Sequence, residues 1–222
     1  MTQPTVSIIV TTYNRPQLLE RALRSIAAQT FQDYEIIVVN DAGSDVEYIL
    51  ENFDKVVYIN HPENRGLSAA RNSGLRVAQG KYICFLDDDD VLFPVHFATL
   101  VNALESKGFD AVYTDAYWWI DEVELKNCLS RDYNRELIKK QNLFPCMSVM
   151  VRSKDISKYR FDEDLPSHED WDMWLTLSRE IVFFHIPVFT AAYSKRSNSG
   201  QMSEKDTHVY WFEKVKRKHR ND

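Results

Sequence analysis

Cysteine, glycine and long apolar runs are scarce in this chain, and each scarcity excludes a class of site. Three cysteines occur in 222 residues, and an odd count without a Cys-x-x-Cys pair argues against a disulfide framework and a structural zinc site. The six glycines include no G-x-G-x-x-G loop. No apolar stretch reaches the roughly 18 residues that span a membrane, and no signal peptide is evident. We therefore expect a cytoplasmic protein with reduced cysteines.

Charge of positive sign is also in short supply. The formal net charge is −6, while 44% of residues are hydrophobic and 13% aromatic. A negative chain does not attract nucleic acid, so we expect no nucleic-acid partner. The composition predicts a globular protein with a substantial core, and the length suits one large domain.

The first 90 residues alternate between strand-like and helix-like patterns. Apolar, β-branched runs predict strands at residues 6–10, 35–40, 55–60 and 81–86, and helical spacing predicts helices from Pro16 and over residues 66–78. This alternation indicates a parallel sheet covered on both faces. Ligands of such sheets lie beyond the carboxyl ends of the strands, where polar clusters fall in this chain.

The second half is less regular. We predict strands at residues 109–115, 116–123, 147–152 and 181–193, a helix at 171–178, and an amphipathic helix within 206–222. Residues 125–142 form a polar stretch without a clear pattern. No internal linker divides the chain.

Four consecutive carboxylates, Asp87 to Asp90, follow the fourth predicted strand. Carboxylates about 6 Å apart repel by roughly 3 kcal/mol at an effective dielectric constant near 20, so solvent or a cation must offset the repulsion. A solvated acidic turn is one interpretation. The position at a strand end favours the other, a site for Mg²⁺ or Mn²⁺ completed by substrate phosphates.

Three side chains near these strand ends suit a nucleotide. Tyr13 can stack on a base, Asp41 can accept from a base or ribose, and Arg71 adds positive charge. Taken singly, they are equally well a turn residue, a helix cap and a surface cation. Their common location favours nucleotide binding.

Acidic and aromatic residues also alternate in the segment Ser167-His-Glu-Asp-Trp-Asp-Met-Trp174. Acids at a helix N-terminus are stabilised by the helix dipole, which is a purely structural explanation. The functional one is a general base for a hydroxyl group. Trp171 and Trp174 fit a protein core and a sugar platform equally well.

Five segments together resemble the family 2 glycosyltransferases, inverting enzymes of the GT-A fold. The resemblance runs from residue 6 to about 203. It rests on these segments in the family's order: Val6-Ser-Ile-Ile-Val-Thr-Thr-Tyr-Asn-Arg15, Val38-Val-Asn-Asp41, Asn64-Arg-Gly-Leu-Ser-Ala-Ala-Arg-Asn72, Phe85-Leu-Asp-Asp-Asp-Asp90 and Glu169-Asp-Trp-Asp172. It implies an α/β fold with a mostly parallel, Rossmann-like sheet flanked by helices and a smaller mixed-strand acceptor region. Residues 1–205 would be one domain, with a nucleotide-sugar half to about 100 and an acceptor half after it.

The resemblance also implies roles for single residues. Asp89 matches the usual metal ligand of the DxD motif, and Asp87 contacts ribose or metal. Asp170 matches the catalytic base, with Glu169 positioning acceptor or base. The nucleotide-binding positions implied are Thr11, Tyr13, Arg15, Asp41, Arg71, Asp87 and Asp88. Tyr193-Ser-Lys-Arg-Ser-Asn198 resembles the family's segment that closes over the diphosphate, and Arg196, which stands where the commoner form has a histidine nearby, is expected to contact the diphosphate.

The implied function is inverting transfer of a sugar, with Mn²⁺ or Mg²⁺, from a nucleoside-diphosphate sugar to a glycan or lipid-linked acceptor. The donor is expected to be UDP-linked, and the setting cell-surface polysaccharide synthesis. One alternative is a non-catalytic domain that binds a sugar nucleotide or glycan. Another is a sugar-nucleotide nucleotidyltransferase, which should carry a glycine-rich loop where Thr11 to Arg15 has no glycine. The basic tail, residues 206–222, fits a solvated helix, a join to further domains, or peripheral contact with the inner face of a membrane.

Overall fold

The computed structural model describes residues 3–127, 131–195 and 208–220. In its first part, four strands lie parallel: β1 (Val6–Thr12), β2 (Tyr34–Asn40), β3 (Val56–Asn60) and β4 (Tyr82–Asp87). They are joined by α1 (Pro16–Ala27), the single-turn α2 (Glu47–Leu50) and α3 (Leu67–Val77). The predicted strands and helices of this part are confirmed.

The second part completes the same sheet. Its elements are β5 (Val91–Leu92), α4 (His96–Lys107), β6 (Ala111–Ile120), β7 (Glu124–Asn127), α5 (Arg135–Ile138), β8 (Val149–Arg152), α6 (Ser153–Ile156), α7 (Glu169–Leu177), β9 (Phe183–Lys195) and α8 (His208–Lys218). The strand order is β3-β2-β1-β4-β8-β6-β9-β5, with β7 beside β6. β8 runs antiparallel to β4 and β6, so the second half of the sheet is mixed. The expected α/β class, with a mostly parallel sheet and a smaller mixed region, is confirmed.

Three expectations for the second half need correction. The two strands predicted at 109–115 and 116–123 are one strand, β6, whose pairing with β9 shifts register on either side of Asp115. The polar stretch 125–142 contains most of β7 and all of α5. We predicted no helix at 96–107, although Phe97, Leu100 and Leu104 recur there at helical spacing and are buried.

The core lies on both faces of the sheet because side chains alternate along each strand. On β1, Ile8 and Val10 join one buried cluster with α1 and α4. Ile9 joins the other, with α3 and α7. Trp171 and Trp174 are fully buried in this second cluster, so they are core residues and not a sugar platform.

Close packing of α3 against β1 depends on Gly74. A Cβ atom at that position would lie 2.5 Å from Cγ2 of Ile9, closer than packed atoms approach. The helix therefore lies near the sheet at this point. Helix α3 thereby packs on β1 and β2.

His96, at the start of α4, is a buried titratable group that couples α4 to β9. Its Nδ1 lies 2.7 Å from Oγ1 of Thr190, which lies 2.6 Å from Oγ1 of Thr114. Burial lowers the pKa of His96 to about 3, whereas an unfolded histidine titrates near 6.5. The folded state therefore keeps this imidazole neutral.

This difference predicts a pH-dependent stability. Between pH 6.5 and 3 the unfolded state binds one more proton than the folded state, so the free energy of unfolding falls as the pH falls, by about 1.4 kcal/mol per pH unit. His96→Gln removes this loss. Urea titrations at pH 7 and pH 5 should show the wild-type protein losing roughly 2 kcal/mol more than the variant. Equal losses in both proteins would contradict the buried neutral imidazole.

Candidate active site

A cleft of about 810 Å³ opens where β1, β2 and β4 end. Parallel pairing places these ends side by side, with Thr11 opposite Asp87 and Thr12 opposite Asn40. The walls also include the N-terminal ends of α3 and α7, parts of β6 and β9, and one side of α8. The cleft thus lies where a parallel sheet places its ligands.

Most of the predicted site residues line this one cleft. Nine of them do so: Thr11, Tyr13, Arg15, Asp41, Arg71, Asp87, Asp89, Glu169 and Asp170. Asp88 is not among the lining residues, and Arg196 lies outside the described residues. The structure therefore brings Asp89 and Asp170, 81 positions apart in the chain, to the same cavity.

Asp88 differs from its neighbours because its side chain is completely buried. Its Oδ2 accepts a hydrogen bond from Thr12 Oγ1 at 2.7 Å, and its Oδ1 lies 2.6 Å from NH2 of Arg15. Burial raises the pKa of Asp88 to about 7. Because this carboxyl faces the protein interior, its contacts support a role in positioning Arg15. They do not support the predicted direct contact with a nucleotide.

Asp89 and Asp90, the last two members of the acidic run, are also held by specific partners. Asp89 pairs with NH1 of Arg15 at 3.0 Å. Asp90 is buried and accepts a hydrogen bond from the backbone N–H of Ser194 at 2.8 Å, which ties the run to β9. Burial raises the pKa of Asp90 well above its usual value.

Arg71 joins the two halves of the cleft. Its guanidinium is buried, with NH2 at 2.8 and 3.0 Å from the two oxygens of Asp87 and NH1 at 2.6 Å from Oε1 of Glu169. It also lies over the ring of Phe161, 5.3 Å from the centroid. The alternative of a surface cation is therefore wrong. A buried cation held by two carboxylates fixes the positions of both.

Asp41 organises the loop that leads into α3. Its Oδ1 accepts from the backbone N–H of Arg65 at 2.9 Å, and its Oδ2 from that of Gly66 at 2.7 Å. His61 Nδ1 lies 2.7 Å from Oδ1, and since the carboxylate accepts, we assign the proton to Nδ1. Gly66 has φ of 88°, a backbone conformation that favours glycine. Asp41 therefore shapes this wall of the cleft and still reaches the cavity.

Glu169 and Asp170 are the first two residues of α7. Oδ1 of Asp170 accepts from the backbone N–H of Trp171 at 2.7 Å, and Oδ2 accepts from Nδ2 of Asn142 at 2.9 Å. Burial raises the pKa of both carboxyls. A raised pKa makes a carboxylate a better proton acceptor, and each oxygen of Asp170 keeps a second lone pair.

The donor set fits a hard divalent cation only in part. Among residues 3–127, 131–195 and 208–220, no three His, Cys, Asp or Glu side chains form a closed metal site. Asp87 and Asp89 both line the cleft, and Mg²⁺ and similar ions bind through one or two carboxylates with substrate phosphates and water. These two carboxylates therefore fit an open site that a phosphate ligand completes.

Other lining residues were not predicted. They are Thr12, Asn64, Gly66, Leu67, Ala70, Asp90, Trp118, Asn142, Pro145, Cys146, Ser167, His168, Tyr193, Lys195, His208 and Phe212. Asn64, Ser167 and His168 lie within or beside motifs found in the sequence, and that proximity was the available signal. Tyr193 and Lys195 lie in the segment that resembles the family's diphosphate-covering segment. The residues from β6 and α8 carry no local signal, because only long-range packing brings them to the cleft.

The C-terminal helix α8 packs on the protein body. Phe212 stacks on Trp171 with ring centroids 4.8 Å apart, and Val215 is fully buried. Buried Asp172, on α7, accepts from Nζ of Lys218 at 2.9 Å and lies 2.8 Å from Nε2 of His219. A freely solvated helix is therefore wrong for the described part of the tail. None of the helices that the structure describes is long and apolar enough to cross a bilayer.

Comparison with known proteins identifies relatives for most of the chain. Residues 7–164 match the family described as Glycosyl transferase family 2. GalNAc(5)-diNAcBac-PP-undecaprenol beta-1,3-glucosyltransferase of Campylobacter jejuni is 30% identical over 198 residues, covering 82% of this chain and 62% of that protein. The chain spans from 31% to 74% of the length of the first five curated relatives it matches.

Two solved structures share the fold. TarS of S. aureus, in complex with UDP-GlcNAc, superposes with a TM-score of 0.78 at 18% identity, covering 95% of this chain and 64% of that one. The mannosyltransferase PcManGT of Pyrobaculum calidifontis, in complex with GDP-Man and Mn²⁺, gives 0.69 at 20% identity, covering 90% and 59%. These likenesses confirm the GT-A fold.

The docking of α8 yields a prediction. Asp172→Ala leaves Lys218 and His219 without their shared acceptor, which should cost about 1–3 kcal/mol. We expect amide hydrogen exchange in residues 208–220 to rise at least about tenfold, while exchange in β1 and β4 stays unchanged. Glu180→Ala, which removes an exposed carboxylate paired with Lys158, is the control. Unchanged exchange in α8 of Asp172→Ala would show that apolar packing alone holds the helix.

Proposed function

The chain belongs to glycosyl transferase family 2, and we propose that it transfers a sugar from a UDP-linked donor, with inversion, to a hydroxyl of a glycan or lipid-linked acceptor. The observation that carries the proposal is the single cleft that Asp87 and Asp89 share with Asp170. A non-catalytic binding domain has no use for a buried carboxyl of raised pKa facing that cleft. The nucleotidyltransferase alternative lacks its glycine-rich loop after β1.

The nucleotide is assigned to the wall formed by β1, β2 and α3. Tyr13 is 46% exposed and can stack on the base, while Asp41 and Thr11 lie beside it on the same wall. Uracil is the proposed base, since the TarS structure is bound to UDP-GlcNAc. PcManGT is bound to GDP-Man, so guanine belongs in any test.

Asp89, with Asp87, would hold the divalent cation. A bound Mn²⁺ or Mg²⁺ supplies electrostatic stabilisation of the negative charge that develops on the leaving diphosphate. Support for a metal comes from PcManGT, which is bound to Mn²⁺. The protein's own contribution is to keep Asp87 fixed by Arg71 and Asp89 at the cleft wall.

Asp170 is assigned as the general base. It would accept the proton of the acceptor hydroxyl as the hydroxyl oxygen attacks the anomeric carbon and the diphosphate leaves from the opposite face. One displacement inverts the configuration and needs no covalent intermediate. Glu169, held by Arg71, fixes the start of α7 and therefore the direction of Asp170.

The acceptor is assigned to the part of the cleft lined by His168, His208 and Phe212, whose rings contact one another. The Campylobacter jejuni relative acts, by its name, on an undecaprenol-linked glycan. We therefore propose a lipid-linked acceptor of cell-surface polysaccharide synthesis, used at the inner face of the membrane.

The donor assignment predicts a metal-dependent nucleotide affinity. Isothermal titration calorimetry with UDP, GDP and dTDP, with and without Mn²⁺, should show UDP binding most tightly and at least about tenfold tighter with the ion. Asp89→Ala should abolish the gain from Mn²⁺ and leave the fold intact, as judged by circular dichroism. Equal affinities with and without Mn²⁺ in the wild-type protein would contradict the metal assignment.

The base assignment predicts a selective loss of turnover. Asp170→Asn keeps the shape of the side chain and one acceptor oxygen for the backbone N–H of Trp171, but it removes the proton acceptor, so turnover should fall at least about 100-fold while UDP affinity stays within about threefold. Release of UDP from the UDP-sugar that binds best is the assay. Asp164→Asn, an exposed carboxyl ahead of α7, is the matched control. Near-normal turnover in Asp170→Asn would remove Asp170 from the role.

A further inference from the structure

Arg15 makes a forked contact with two members of the acidic run. Its Nε and NH2 face Asp88, at 3.2 Å from Oδ2 and 2.6 Å from Oδ1, and its NH1 lies 3.0 Å from Oδ2 of Asp89. The guanidinium therefore binds the buried carboxylate of Asp88 through Nε and NH2, and the carboxylate of Asp89 in the cleft through NH1.

The two contacts differ in how readily they can be broken. The side chain of Asp88 is 0% exposed, whereas those of Asp89 and Arg15 are 13% and 42% exposed. Breaking a buried pair leaves an uncompensated charge and is strongly unfavourable. Asp89 lines the cleft and is reached by water, which can replace its contact with Arg15 at lower cost. The contact with Asp88 is therefore the anchor, and the contact with Asp89 is the exchangeable one.

Arg71 offers a contrast within the same cleft. Both of its carboxylate contacts belong to a buried guanidinium, and its two partners lie on different elements, β4 and α7. Breaking either contact of Arg71 would disconnect β4 from α7. NH1 of Arg15 can leave Asp89 without such an effect, because Nε and NH2 of Arg15 remain bound to Asp88.

A cation that binds Asp89 must compete with Arg15. The ion and the guanidinium are both positive and both approach the same carboxylate, so each weakens the binding of the other. The planar fork of arginine also matches a diphosphate as well as it matches a carboxylate. Arg15 lines the cleft, and a nucleoside diphosphate there would offer its NH1 a new partner.

We propose that Arg15 occupies the position of the cation at Asp89. It releases Asp89 to the metal ion when the nucleoside diphosphate offers Arg15 a new partner. Cation and nucleotide consequently bind cooperatively, and the ion alone binds weakly. The proposal rests on the proposed function and adds to it the order of assembly. Arg15 is a positioning residue in this scheme, since it acts through Asp89 and the diphosphate.

The test is the affinity of Mn²⁺ alone, measured by calorimetry on the whole protein. Arg15→Met removes the competitor, so Mn²⁺ should bind about fivefold tighter than to the wild-type protein. Arg24→Met removes the same charge from α1, where Arg24 pairs with exposed Glu20, and should leave the Mn²⁺ affinity unchanged. If Arg24→Met tightens Mn²⁺ binding as much as Arg15→Met, a general charge effect replaces the proposal.

A second measurement tests the cooperativity. By thermodynamic linkage, the factor by which saturating Mn²⁺ tightens UDP binding equals the factor by which UDP tightens Mn²⁺ binding. It should exceed about tenfold in the wild-type protein and fall below about threefold in Arg15→Met. The same factor in both proteins overturns the proposal while the proposed function stands. A wild-type protein that binds neither UDP nor Mn²⁺ overturns the proposed function itself.

A double variant controls for misfolding of Arg15→Met. Arg15→Met leaves Asp88 buried without its cation, so Arg15→Met with Asp88→Asn removes both charges and keeps an acceptor for Thr12 Oγ1. Mn²⁺ should bind this double variant about fivefold tighter than the wild-type protein, as it should bind Arg15→Met. An affinity within twofold of the wild-type value, in a double variant with a wild-type circular dichroism spectrum, overturns the proposal.

Discussion

The site depends on the buried guanidinium of Arg71 between Asp87 and Glu169. A buried cation is tolerated only where carboxylates pair with it at short distance, and each carboxylate in turn is held by the cation. The contact joins the end of β4 to the start of α7. These two carboxylates are 82 positions apart in the chain, and β5, β6, β7 and β8 lie between them. The two functional walls of the cleft therefore keep one relative position.

The parallel first half of the sheet explains why the acidic run lies where it does. β1, β2 and β4 end together, so Thr11, Asp41 and Asp87 meet at one edge. The mixed second half then builds the opposite wall, and the docking of α8 on Trp171 and Asp172 closes one side. The proposed chemistry needs both walls, because it would place the cation and the base on opposite sides of the reacting sugar.

Sequence patterns predicted the first wall well, for a physical reason. Strand periodicity is local, and the carboxyl ends of parallel strands must coincide, so Tyr13, Asp41 and Asp89 could be placed together without coordinates. Asp170 was found only through its resemblance to a family motif. Its spacing alone fitted a helix N-terminus equally well, and Asp172 in the same segment in fact faces α8.

Contacts between residues distant in the chain could not be predicted from the sequence. Asp88 and Asp89 are identical neighbours in sequence, and only the turn after β4 buries one and leaves the other in the cleft. Arg71 has no pattern that distinguishes a buried bridge from a surface cation. His208 and Phe212 reach the cleft because α8 folds back on α7, a contact that no local propensity encodes.

A crystal structure of the protein with Mn²⁺ and UDP tests the central claim most directly. We expect the ion within about 2.3 Å of a carboxylate oxygen of Asp89, the diphosphate beside it, and Asp170 facing the same cavity from the opposite wall. An ion bound elsewhere, or a nucleotide bound away from the ends of β1, β2 and β4, would contradict it.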